Sequence, residues 1–297
     1  MKKIFNLKIL ANKKAILTLL IFHFMLYVFF AWWESGIPKF EINQGVTSSS
    51  NSTIHFVKTL NSLINNELEH GWLPNDFMLS PTKLLIDNRP NFQIGVLTII
   101  RHSVRVLRDN LSRQRTTDEI NPFVNKAFSY ISNDYEKLLL PSFESRMNET
   151  IDHLDIFLKN YEANLANANY YPRSDNLIQV FDQYISELGS LNNKLLSGDT
   201  SFFSNDDLFY LVKGTNYALY SVLHAILKDF KTVLEEKKCM PLMHETISRI
   251  KQSDFDPIIV VSGDNESLLA NHLIQLAGIT SDVRQKLKSL NVMLDKN

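Results

Sequence analysis

Five of the chain's ten arginines, at positions 101, 105, 108, 113 and 115, fall within fifteen residues. At 100° per residue Arg101, Arg105 and Arg108 project within about 60° of one another on a helix, beside its apolar stripe. A guanidinium grips carboxylate or phosphate through two parallel hydrogen bonds. The triplet is therefore the candidate docking surface for an acidic partner, a phosphate or anionic lipid. The competing reading sets the same arginines at bundle edges, paired with acids such as Asp118 and Glu119.

Other constellations lead to less. Glu67 and His70 have the Glu-x-x-His spacing of carboxylate-bridged di-iron bundles, which need two such pairs. Glu149 and His153 stand four apart, so only one pair has the right step, and no metal or other cofactor is expected. His224 and His272 sit in apolar helical stretches and read as hydrogen-bonded core residues. Cys239 excludes a disulfide framework within the chain, because it is the sole cysteine. Lys237 and Lys238 beside it would favour the thiolate, but no resolving cysteine accompanies it. A free thiol is expected, with an intermolecular disulfide as the alternative. Val260-Val261-Ser262-Gly263-Asp264-Asn265 imitates a phosphate loop with one glycine, no lysine and an acid where the anion would sit. Nucleophile-elbow, zinc-protease, Walker and dinucleotide fingerprints are absent. No catalytic residue and no enzymatic activity are expected.

The elements that would position these groups are helical almost throughout. Apolar residues alternate steps of four and three along Met147–Leu165, Leu177–Leu195, Leu208–Ile226 and Leu269–Leu294. Such seams suit long helices crossing at about 20° in a bundle. Ile54, Val57, Leu60, Ile64 and Leu68 line an earlier helix that Gly71 can end in a left-handed cap. Val96, Ile100, Val104, Leu107 and Leu111 line the next, with Pro90 at its start. Pro141 suits a first-turn position, Ser174 a cap, and Ser204 with Asp207 a capping box. Short connections such as 198–204 favour antiparallel neighbours in one chain over an intermolecular coiled coil. The expected fold is all-α, an elongated antiparallel bundle over residues 53–297.

Ahead of it, residues 15–33 read AILTLLIFHFMLYVFFAWW, without a formal charge. At about 1.5 Å per residue such a helix spans roughly 28 Å, the thickness of a hydrocarbon core. Its exit, Phe29-Phe30-Ala31-Trp32-Trp33, is too bulky for signal cleavage, so an uncleaved single-pass anchor is expected. The first 33 residues carry five lysines and no acid, leaving 26 basic against 32 acidic residues beyond them. That asymmetry puts residues 1–14 in the cytoplasm as a short basic tail and the remainder across the membrane. Residues 34–52, rich in Gly, Ser and other polar residues, read as a flexible tether. A formal net charge of −1 excludes a strongly basic nucleic-acid binder.

Several separated motifs resemble a known family. They are Leu85-Ile86-Asp87-Asn88-Arg89-Pro90-Asn91-Phe92-Gln93-Ile94-Gly95-Val96-Leu97 and Arg108-Asp109-Asn110-Leu111-Ser112-Arg113. Pro141-Ser142-Phe143-Glu144, Arg173-Ser174-Asp175-Asn176-Leu177, Gly214-Thr215 and Ala270-Asn271-His272 follow in order. Together they are similar to domain-of-unknown-function family 2333, proteobacterial envelope proteins, over residues 55–295. The stretch after Arg113 is shorter and less rich in Ser and Gln than the family pattern. The resemblance implies an N-terminal membrane segment and a periplasmic body at the inner membrane of a Gram-negative cell. It implies no activity, cofactor or catalytic residue. The expected function is that of a non-enzymatic interaction or scaffold protein with an envelope protein as partner. A periplasmic ligand-binding or sensory bundle is the alternative.

Overall fold

The computed structural model describes residues 2–34, 36–41, 53–76, 88–115, 118–165, 168–196, 202–257 and 272–296. Among these the regular elements are all helical. They are α1 (Lys2–Glu34), α2 (His55–Glu69), α3 (Asn88–Val106), α4 (Pro122–Ile131), α5 (Phe143–Glu162) and α6 (Ser174–Leu196). α7 (Phe202–Asp229), a short α8 (Lys231–Glu236), α9 (Met240–Lys251) and α10 (His272–Asp295) complete the order. Most seam residues turn inward as their periodicity requires, but at the end of the Met147–Leu165 seam Tyr161 is half-buried and Leu165 is 49% exposed. Leu177, Phe181, Tyr184, Leu188, Leu191 and Leu195 of α6 are all buried, as are Leu273 to Leu294 along the α10 seam. Leu269 and the Val260–Asn265 run lie outside the described residues.

Two neighbouring pairs run antiparallel as expected, but α3 and α7 run in the same direction, with Asn91 and Asp207 near their starts joined by a hydrogen bond. On α6 and α10, Ser174 meets Leu294 and Asp182 meets Asn291. On α2 and α5, Asn61 meets Asp155, while Asn75, beyond the end of α2, meets Glu144 at the start of α5. α3 and α7 approach most closely, through glycine. A Cβ on Gly214 would lie 2.0 Å from the carbonyl oxygen of Phe92, and one on Gly95 would lie 2.1 Å from that of Leu211. The two backbones touch only because neither residue has a side chain.

Several ends differ from the sequence expectation. Gly71 does close α2 with φ of 75°. Pro90 falls in the first turn of α3. Pro141 precedes α5 through a cis bond, and Ser142 is the cap instead, its hydroxyl accepting from the Ser145 N–H. Ser174 does not cap its own helix; its hydroxyl donates to the Leu294 carbonyl at the end of α10. α7 already begins at Phe202, so Ser204 lies inside its first turn. The start of α2 is capped from another helix. Asp229, the last residue of α7, accepts from the N–H groups of His55 and Phe56. This substitutes for the side-chain cap that Ile54 cannot provide.

The N-terminal region departs in two ways. The basic tail is helical and continuous with α1. The tether, by contrast, does not begin as a free segment: Phe40 is fully buried against the Tyr217 and Tyr220 rings. Residues 42–52 lie outside the described residues. Among the described residues no helix is long and apolar enough to cross a membrane. Side chains of α1 are described only from Lys13 to Phe29, which stops short of the uncharged run ending at Trp33. Within that stretch the large apolar side chains from Ile16 to Phe29 are 37–66% exposed.

Candidate functional site

The arginine cluster separates into two groups where α3 ends. Leu107–Leu111 form one turn of π-helix, closed by the Ser112 N–H donating to the Leu107 carbonyl at 3.0 Å. Widened turns of this kind recur at functional positions in helices. The three docking candidates, Arg101 and Arg105 on α3 and Arg108 within the π turn, face α4. Arg101 is built into the fold, with Nε donating to the Ile131 carbonyl (2.8 Å) and Nη2 to that of Asn133 (2.5 Å). It thereby caps the C-terminal end of α4, where a cation also meets the negative end of the helix dipole. Its guanidinium lies 5.6 Å from the Tyr135 ring centroid, and burial pulls its pKa below the usual arginine value. Arg105 is exposed, with its guanidinium 5.7 Å from the Phe128 ring; that of Arg108 stacks on the same ring at 3.9 Å. Arg108 also grips Asp109 with two hydrogen bonds, of 2.7 and 3.0 Å. The three arginines therefore do not form one open face. The acid that pairs with Arg108 is Asp109, the next residue along the chain, rather than Asp118 or Glu119. Asp118 instead accepts from the backbone N–H of Arg115.

Beyond the π turn a polar cleft of about 330 Å³ opens between the end of α3 and the start of α6. Arg113, Arg115, Arg173, Asp109, Asp175 and Gln179 line it. Arg173 holds Asp175 through two hydrogen bonds and donates a third to the Gln114 carbonyl. Those bonds keep the Asp175 carboxyl below its usual range. The cleft is thus a surface of opposed, partly paired charges.

A second charged constellation lies deeper and was not expected from the sequence. Glu67 and Arg89 are both 1% exposed and form an ion pair at 2.7 Å. Burial pushes the Glu67 carboxyl up, while Arg89 and a Gln93 hydrogen bond pull the other way. Arg89 also donates to the Gly36 carbonyl. Lys213 is wholly buried and bonds to Asp256 and to the Phe255 carbonyl. Burial lowers the Lys213 pKa against the pull of these acids. Partial burial would raise the Asp256 carboxyl, but hydrogen bonds from Lys213 and Lys39 hold it below its usual value. Asp254 accepts from the Phe40 N–H at 3.1 Å. The two groups clamp residues 36–41, which begin two positions beyond the end of α1, onto α2, α3 and α7. The visible signals were a lysine in the middle of the α7 seam and the Arg89-Pro90 pair at the head of α3.

The remaining candidates have ordinary places. Glu67 is committed to Arg89, and His70 Nδ1 lies 2.9 Å from the Asn66 carbonyl oxygen. His153 bonds to the Glu149 backbone and packs on Tyr130. Among the described residues no three His, Cys, Asp or Glu side chains gather as a metal site. Burial holds His224 down to about 4, so it is neutral. Cys239 is buried, and that burial raises its thiol pKa despite Lys237. An accessible thiolate and an intermolecular disulfide are therefore not supported.

A family model described as an uncharacterized protein conserved in bacteria (DUF2333) matches residues 8–199 and 194–297, which takes in most of α1 as well as the body. No curated protein and no solved structure matches the chain.

Proposed function

Because the chain belongs to the bacterial family DUF2333, and because residues 16–29 of its first helix show large apolar side chains on every side, we propose that it is a membrane-anchored interaction or scaffold protein of the bacterial envelope. The carrying observation is the exposure of Ile16, Leu17, Leu19, Leu20, Ile21, Phe22, Phe24 and Met25 around a whole helical circumference. A helix that packs on a water-soluble body buries one stripe and shows a polar face. A helix apolar all round matches hydrocarbon on all sides. Lysines precede the run and Glu34 follows it, which supports a cytoplasmic N-terminus and a periplasmic body at the inner membrane.

An interaction role, rather than catalysis, is supported by how the charged side chains are used. Glu67 is committed to Arg89, Lys213 to Asp256 and Arg173 to Asp175. The partner-facing surface in this reading is the π turn, with the exposed Arg105, the half-buried Arg108 and the adjoining cleft. Its partner is another envelope protein.

Alkaline extraction of membranes tests the anchor. The full chain should stay in the pellet, and a Leu20→Arg, Phe24→Arg variant should move to the supernatant. Each arginine at mid-span costs about 2.5–3.5 kcal/mol of insertion. Release of the unaltered chain would end the proposal.

A further inference from the structure

The loop between α4 and α5 presents a second apolar feature. Leu138, Leu139 and Leu140 are 42%, 77% and 95% exposed, three consecutive leucines facing solvent. The loop is held firmly. The Phe143 N–H donates to the Lys137 carbonyl at 2.9 Å, closing residues 138–142 into a tight projection. Trp72 Nε1 donates to the Tyr135 carbonyl and Asn75 Nδ2 to that of Lys137. Singly exposed apolar residues need no explanation, but a rigid cluster of them does.

Its position identifies the occupant. The bonds from Trp72 and Asn75 place the loop at the C-terminal end of α2. At that same end Arg89, paired with Glu67 of α2, holds the Gly36 carbonyl. Gly36 follows Glu34 by two residues, so the end of α1 lies within about 7 Å of it. The chain's exit from α1 and the leucine projection thus share one end of the body. The clamp ties residues 36–41 to the body.

We infer that Leu138, Leu139 and Leu140 insert into the outer boundary of the phospholipid bilayer that α1 crosses, making a second membrane contact that fixes the body's orientation. This rests on the anchoring reading of α1. Three leucyl side chains carry enough apolar surface to enter the interface once α1 has brought them there.

The test uses the full chain in nanodiscs of phosphatidylethanolamine and phosphatidylglycerol, with an environment-sensitive fluorophore on Leu139→Cys. Leu20→Cys reports on α1. Leu165→Cys reports on the far end of α5, about 30 Å away along a helix of this length. Buried Cys239 makes the unaltered chain the labelling blank. With spin-labelled lipid, the probe at 139 should lose most of its emission, as should that at 20, while that at 165 keeps it. Quenching at 20 without quenching at 139 overturns the leucine contact and leaves the anchor standing. No quenching at 20 removes the anchor and this contact together. An emission shift at 139 that grows with protein concentration, without lipid quenching, would assign the loop to a second copy and overturn the proposal.

Discussion

Gly214→Ala should cost the body about 3 kcal/mol or more, at the upper end of what overpacking does. The added methyl would sit 2.0 Å from the Phe92 carbonyl oxygen, inside any tolerable contact, and the obstacle is helix backbone rather than a side chain that can swing aside. Relief requires α3 and α7 to part, and both carry buried seams against the rest of the bundle. Gly278→Ala is the internal comparison, because nothing lies within 4 Å of a Cβ there. On an exposed position of α10 that change should be neutral or gain up to about 1 kcal/mol from helix propensity. Urea denaturation of both variants reads the difference. A Gly214→Ala protein as stable as the unaltered one would mean that α3 and α7 are not in backbone contact.

Arg89→Met should be about as damaging, and its damage should depend on pH. Removing one partner of a buried pair leaves an uncompensated charge, which costs about 3–5 kcal/mol. With Arg89 gone, only the Gln93 hydrogen bond and His70 still oppose burial, so the folded pKa of Glu67 rises further above the unfolded value. A raised folded pKa contributes stability that is present in acid and lost as pH rises through it. The variant should therefore be closest to the unaltered protein at acidic pH and fall away towards neutrality. Arg89→Met with Glu67→Met should recover most of the loss, since an apolar pair of similar volume can replace a buried ion pair. The double variant also loses the Gly36 contact, so limited proteolysis near residue 36 should remain faster in it. Equal stability of the single and double variants at neutral pH would show that Glu67 is not trapped.

The seams were legible because burial on one face of a helix leaves a period in the chain. Every seam residue from Leu177 to Leu195 and from Leu208 to Ile226 is buried. What the chain does not reveal is how partners distant in sequence meet. Residues 36–41 read as a tether because their composition is that of one. What docks them is Phe40 against Tyr217 and Tyr220, and charges at 89, 254 and 256. Asp229 capping α2 is invisible for the same reason. The arginine cluster was legible as a cluster, but not in its division. Nothing in the spacing of Arg101 and Arg105 says that one seals the end of α4 while the other remains exposed. The π turn keeps Leu107 and Leu111 buried, so the apolar pattern passes through it without a mark.

The central claim is that α1 crosses the inner membrane and delivers the helical body to its far side. A reporter enzyme that is active only in the periplasm, joined after Asn297 in a Gram-negative host, tests it most directly. The account predicts full reporter activity, abolished when the charge bias around α1 is inverted by replacing Lys13 and Lys14 with glutamate and adding lysines after Trp33. Activity only from a reporter that requires the cytoplasm would contradict it.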